Sequence, residues 1–200
     1  MKVCIIDYGM GNIKSVSNAI EYLGKEADLI SNPKLIDNYD IIILPGVGAF
    51  KRAMEVLAER KLDVAIKKAA NEGKRIIGFC LGMQLLFSSS KEFGYSEGLN
   101  LIEGEVVPFN KEINLRIPHM GWNVAHSYKD DFKKLEGDYY YVHSFYCEPV
   151  NENEILFTTN YGVDFCSAVI KNDQIFGFQF HPEKSQKNGL RLLEKVLELC

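Results

Sequence analysis

Three short segments of the sequence bring together residue types that can do chemistry. In Gly78-Phe79-Cys80-Leu81-Gly82 a cysteine stands between two glycines. This is the spacing of a nucleophile elbow, a sharp strand-to-helix turn that lifts the nucleophile above a sheet and leaves no room for side chains on its flanks. A thiol becomes a strong nucleophile on ionising, and a helix N-terminus or a nearby imidazolium favours the thiolate. His181-Pro182-Glu183 supplies an imidazole. In an extended segment residues two apart point to the same side. The Glu183 carboxylate can therefore hold one ring nitrogen of His181 and leave the other to serve a thiol. The third segment is Pro45-Gly46-Val47-Gly48-Ala49-Phe50. Acyl transfer through a tetrahedral oxyanion needs two backbone N–H donors. The elbow provides one at Leu81, and the glycine-bracketed peptide around Val47 and Gly48 is free to turn in a second.

These segments act together only if the fold brings them to one edge. Val3 to Ile6 is a short apolar run of β character that ends at the turn-forming Asp7-Tyr8-Gly9-Met10-Gly11-Asn12. Ile13, Val16, Ile20 and Leu23 then recur at helical spacing, with Asn12 placed to cap the first turn. Ile41 to Leu44 is a continuous apolar run, the pattern of a strand buried on both faces of a parallel sheet. Helices are expected from Phe50 to Leu57 and from Leu62 to Ala70, the second closed by Gly73. Arg75 to Phe79 reads as another buried strand, leading through Cys80 into an apolar helix from Leu81 to Phe87. From about Val106 the pattern becomes one of short strands: Tyr139 to Val142, Ile155 to Thr159, Phe165 to Ile170 and Ile175 to Phe180. A last helix carries Leu190, Leu193, Val196 and Leu197 on one face. The expectation is one α/β domain over residues 1–200, with a mainly parallel central sheet flanked by helices and an added β region. Ligand sites of such folds lie beyond the carboxyl ends of the parallel strands, which is where the three chemical segments fall.

Composition narrows the function classes. The 200 residues, 46% hydrophobic and 25% charged, describe an ordinary globular chain long enough to bury a full core. A formal net charge of -4 argues against a nucleic-acid partner; Lys67-Lys68 and Lys133-Lys134 are pairs on solvated faces rather than a basic patch. No apolar run approaches the roughly 18 residues of a membrane span, and Asp7 interrupts the first run before a secretory signal core can form. The five cysteines are scattered and none forms a CxxC pair, so neither a disulfide framework nor a zinc site is expected, and a cytoplasmic setting is. Cys4, Cys147, Cys166 and Cys200 read as small buried hydrophobes. Gly9-Met10-Gly11 begins a dinucleotide fingerprint, but Lys14 stands where its third glycine belongs. No metal or organic cofactor is expected.

Taken in order, the motifs resemble the class I (triad-type) glutamine amidotransferases. The resemblance runs nearly end to end. It rests on Asp7-Tyr8-Gly9-Met10-Gly11-Asn12-Ile13, Pro45 to Phe50, Gly78-Phe79-Cys80-Leu81-Gly82-Met83-Gln84-Leu85-Leu86, Pro118-His119-Met120-Gly121-Trp122-Asn123, Val142-His143-Ser144-Phe145-Tyr146 and Phe180-His181-Pro182-Glu183-Lys184-Ser185. Within that family the chain looks like the glutaminase subunits that serve imidazole glycerol phosphate synthase in histidine biosynthesis. The resemblance implies hydrolysis of L-glutamine to glutamate and ammonia through a cysteine thioester. Cys80, His181 and Glu183 would be the triad, and Leu81 and Val47 would form the oxyanion hole. Gly48, Gln84, His143 and Ser144 would contact the glutamine. Asn12, Trp122 and Lys184 would lie on the face that docks a synthase (cyclase) subunit, a (β/α)₈ barrel, as a heterodimer.

Without the resemblance, His143-Ser144 reads as a strand end with satisfied polar groups and Trp122 as core. His119 and His126 have no identifiable partner and read as structural. Similar subunits also supply ammonia to synthases that convert sugar nucleotides in making surface polysaccharides. The stretches Phe93 to Gly98 and Thr158 to Gly162 leave that branch open. Two readings from other classes are a free-standing cysteine hydrolase of γ-glutamyl compounds or peptides, and a non-catalytic module that retains the fold.

Overall fold

The computed structural model describes residues 1–109 and 115–199, so Cys200 lies outside the described residues. The strands are β1 (Val3–Ile6), β2 (Ala27–Ile30), β3 (Ile41–Gly46), β4 (Arg75–Cys80), β5 (Phe87–Ser90), β6 (Ser96–Glu97), β7 (Ile102–Pro108), β8 (His119–Ser127), β9 (Gly137–His143), β10 (Phe145–Pro149), β11 (Ile155–Asn160), β12 (Asp164–Lys171) and β13 (Ile175–Phe178). The helices are α1 (Ile13–Tyr22), α2 (Phe50–Glu59), α3 (Leu62–Asn71), α4 (Leu81–Leu85) and α5 (Gln186–Glu198).

The apolar runs are continuous because both faces of their strands are covered. Cys4, Ile6, Ile42, Leu44 and Ile76 pack toward Phe50, Leu57, Leu62 and Ile66 of α2 and α3. The alternate residues Val3, Ile5, Ile41, Ile43 and Ile77 pack toward Val16 and Ile20 of α1 and Leu192, Leu193 and Val196 of α5. The strands between these layers run in the order β2-β1-β3-β4-β13, and all four pairings are parallel. β12 then pairs antiparallel with β13 and opens the added β region. One arm of it continues through β10, β7, β5 and β6. The other passes from β12 through β11 to the β8–β9 ladder.

Local signals place the helix ends. The Asn12 side chain accepts the N–H of Ser15 and caps α1. Gly73, at φ +85°, ends α3, with its N–H on the Ala70 carbonyl and that of Lys74 on Ala69, the paired bonds of a left-handed helix stop.

Two elements are shorter than their apolar runs. The helix after Cys80 ends at Leu85 rather than Phe87, because Phe87 pairs with Ile102 as the start of β5 and the Leu85 and Leu86 carbonyls accept from Leu99 and Leu101. The last strand ends at Phe178 rather than Phe180, since the N–H of His181 turns to the Tyr140 carbonyl of β9. Among the described residues no helix is long and apolar enough to cross a membrane.

Candidate active site

β4 lies between β3 and β13 and ends at Cys80. There the backbone takes φ 53° and ψ -110°, outside the ordinary regions for a side-chain-bearing residue. Two glycines make this turn possible. A Cβ on Gly78 would stand 2.5 Å from the Gly82 carbonyl oxygen, and a Cβ on Gly82 would collide with the Leu44 carbonyl. The β3–β4 register pairs Gly46 with Cys80, so the loop carrying Val47 and Gly48 begins beside the sulfur. Gly48 adopts φ +103°, a conformation that glycine takes without strain.

On the other flank, the chain leaving β13 makes a short 3-10 turn at Pro182–Lys184. The turn, rather than a continued extended strand, brings Glu183 round to His181. Nδ1 of His181 lies 2.8 Å from Oε1 of Glu183, with both side chains almost wholly buried. Nε2 of His181 is buried and has no hydrogen-bond partner among the described residues. Burial works against a charge on this ring, yet its interactions with Cys80 and then Glu183 raise its pKa from 6.5 to about 10. These neighbours favour the protonated form of the ring. Val47, Gly48, Cys80, Leu81, Gln84, Glu92, Phe93, His143, Ser144 and His181 line one cavity of about 420 Å³. That is room for a ligand the size of an amino acid.

A family model described as glutamine amidotransferase class-I matches residues 4–198. Imidazole glycerol phosphate synthase subunit HisH of Sulfurimonas denitrificans is 48% identical, over 96% of this chain and 95% of its own length. HisH of Bacillus licheniformis is 45% identical, over 96% and 93% respectively. The chain belongs to the class I glutamine amidotransferases and, within them, to the HisH family. A crystal structure of a glutamine amidotransferase shares the fold, with a TM-score of 0.77 at 17% identity over 98% of this chain and 100% of that one.

The pocket of this amidotransferase contains more than its sequence motifs announce. Nε2 of Gln84 donates to the Phe145 carbonyl and to Oε1 of Gln179, both at 3.1 Å. The side-chain oxygen of Gln84 is the part left to meet a ligand. His143 reaches the pocket wall, but its ring is engaged on both sides. Nδ1 faces the Phe145 carbonyl at 2.8 Å, and Nε2 faces Nδ1 of His119 at 2.9 Å. His119, for which the sequence offered no partner, therefore has one. It is also stacked between Tyr141 and Tyr161, and its Nε2 meets the Asn123 side-chain amide at 3.2 Å. One tautomer arrangement satisfies the whole row: Asn123 donates to His119, His119 to His143, and His143 to the Phe145 carbonyl. Burial lowers the two imidazoles to about 4 and about 3, so both are neutral. His126 is exposed on β8.

Sequence reasoning missed Glu92 and Phe93 as lining residues. Their signal was faint, a loop ahead of the glycine- and aromatic-rich stretch from Phe93 to Gly98. Oε2 of Glu92 accepts the N–H of Phe50 at 2.5 Å, which ties the loop to the start of α2. Phe93 stands exposed, edge-on to Phe145.

Asn12, Trp122 and Lys184 are all exposed. Met120, Trp122 and Val124 form an apolar row on the outer face of β8. Trp122 shares a groove with Ser185 and Gln186, and Gln186 shares a second with Ser15 and Asn18 of α1. The segment carrying Lys184 thus joins the Trp122 strand to the helix that Asn12 caps. Cys4, Cys147 and Cys166 are buried and free, and burial pushes the Cys4 and Cys166 thiols up to about 12. Among the described residues no group of three His, Cys, Asp or Glu is placed to hold a metal ion.

Proposed function

We propose that this chain is the glutaminase subunit of an imidazole glycerol phosphate synthase, releasing ammonia from L-glutamine through a thioester on Cys80. One observation carries the residue assignment: a cysteine on a strained turn and a histidine line the same cavity, one buried nitrogen of that histidine has no hydrogen-bond partner among the described residues, and a carboxylate holds the other.

The Cys80 thiolate attacks the side-chain amide carbon of glutamine. The tetrahedral oxyanion rests on the N–H groups of Leu81 and of the Val47–Gly48 peptide. His181 gives its proton to the departing nitrogen, the C–N bond breaks and ammonia leaves. A water molecule, deprotonated by the same imidazole, then cleaves the thioester to glutamate. Glu183 keeps the ring in the tautomer that both steps need. Gly48, Gln84 and Ser144 line the space for the amino-acid end of the substrate, with His143 shaping the wall. Glu92 is suited by charge to its ammonium group.

The partner is a synthase subunit, a (β/α)₈ barrel, bound over Asn12, Trp122 and Lys184 and taking the ammonia directly. The apolar row on β8 supports this, because an exposed patch of large apolar side chains rimmed by polar ones is the composition of an interface. Ammonia release should be measured for the wild type and for Cys80→Ala, each alone and with the synthase subunit and its acceptor. The expected result is slow release by the wild type alone, stimulation by the loaded synthase, and none from Cys80→Ala in either setting. Release by Cys80→Ala would refute the nucleophile. Full wild-type activity that no partner changes would point to a free-standing hydrolase.

A further inference from the structure

Gln179 is fully buried, and no step of the reaction described above uses it. β13 pairs Phe178 with Phe79 of β4, so the next residue on one strand, Gln179, comes alongside the next on the other, Cys80. The orientation of its amide follows from a fixed point. The Phe145 carbonyl can only accept, so Gln84 must face it with its nitrogen, 3.1 Å away. The same nitrogen meets Gln179 at 3.1 Å, so Gln179 must present its oxygen there. The NH₂ group of Gln179 is left facing Sγ of Cys80, 3.9 Å away. Turning either amide over would set N–H against N–H, or carbonyl against carbonyl. On another side the sulfur lies 3.8 Å from the Val142 carbonyl. That acceptor favours the protonated thiol, whereas a donor favours the thiolate.

We propose that Gln179 is a positioning residue whose side-chain N–H holds the Cys80 sulfur and biases it toward the thiolate, with Gln84 and the Phe145 carbonyl fixing which end of the amide faces the sulfur. The proposal rests on Cys80 being the nucleophile. Its test is the pH dependence of Cys80 alkylation by iodoacetamide, followed by mass spectrometry of the Cys80 peptide, in the wild type and in Gln179→Met and Gln179→Glu. Gln179→Met removes the donor at similar volume. It should move the alkylation midpoint up by about one pH unit, a roughly tenfold slower reaction below the midpoint. Gln179→Glu keeps the shape, places an acceptor at the sulfur and should move the midpoint at least as far; it carries the test alone if the Met variant does not fold. In both, kcat should fall while KM for glutamine stays within about twofold of wild type, the pattern of an interaction that serves the reaction rather than binding. An unchanged midpoint in a folded variant overturns the proposal, as does a raised KM with kcat intact. If alkylating wild-type Cys80 left glutamine hydrolysis unaffected, the nucleophile assignment itself would fall, an outcome distinct from either of these.

Discussion

His181 and the His119–His143 pair are imidazoles of nearly equal burial with opposite states. His181 is 2% exposed, His119 3% and His143 6%. Burial alone drives a histidine neutral, and it does so for His119 and His143, whose ring partners are neutral groups. His181 meets the same burial but has Cys80 nearby and Glu183 on Nδ1, and its pKa rises. The two sites also differ in what remains available. His119 and His143 use all four ring nitrogens on each other and on neighbouring amides, whereas Nε2 of His181 has no hydrogen-bond partner within ordinary distance among the described residues. Burial therefore does not by itself set the state of a buried histidine. The thiol and the carboxylate beside the ring do.

The most severe test of that contrast is His181→Asn. Glutamine hydrolysis should fall by about 10⁶-fold, as when the histidine of a concerted triad is lost, and circular dichroism should show the fold intact. Near-normal turnover would break the comparison. Glu183→Gln keeps the shape and removes the charge, so it should lower kcat by about 10⁴-fold, less than losing the ring itself. The His119–His143 side predicts stability effects instead. His119→Phe preserves the stacking between Tyr141 and Tyr161 but leaves Nε2 of His143 without its donor. Urea melts should show a loss of about 1–3 kcal/mol, with glutaminase kcat within severalfold of wild type.

The smallest expected effect lies in the pH dependence of stability. The unfolded chain protonates His119 and His143 at the ordinary 6.5, and the folded chain only near 4 and 3. Between those values the unfolded state holds more protons. The contribution of the pair is complete above pH 6.5 and is lost as the pH falls toward 4. Each ring adds at most about 1.4 kcal/mol per pH unit in that window. Urea melts at pH 7 and pH 5 should therefore show a shallower loss for His119→Phe than for wild type. Equal slopes would mean that His119 titrates normally in the folded chain.

The elbow and the parallel half of the fold were legible because burial on both faces writes continuous apolar runs, and because Gly78 and Gly82 answer a backbone collision that no other residue avoids. The β8 region was not, since its pattern is inverted. His119, Asn123 and Ala125 face in while Met120, Trp122 and Val124 face out. Reading apolar as interior there puts Trp122 in the core and leaves His119 without a partner. The inversion is itself informative: large apolar side chains on the outside of a strand make sense where another protein covers them. Val47, Leu81 and Gly48 were reachable from the acyl-transfer requirement. Glu92 and Phe93 were not, because the loop that carries them has no periodicity to betray where it folds back.

The Cys80 sulfur and the His181 imidazole follow neighbouring strands, β4 and β13, although the whole added β region separates them in the chain. During synthesis the Cys80 thiol is therefore made long before the His181 imidazole. Until β13 slots in between β4 and β12, the cavity that Cys80 and His181 share does not exist.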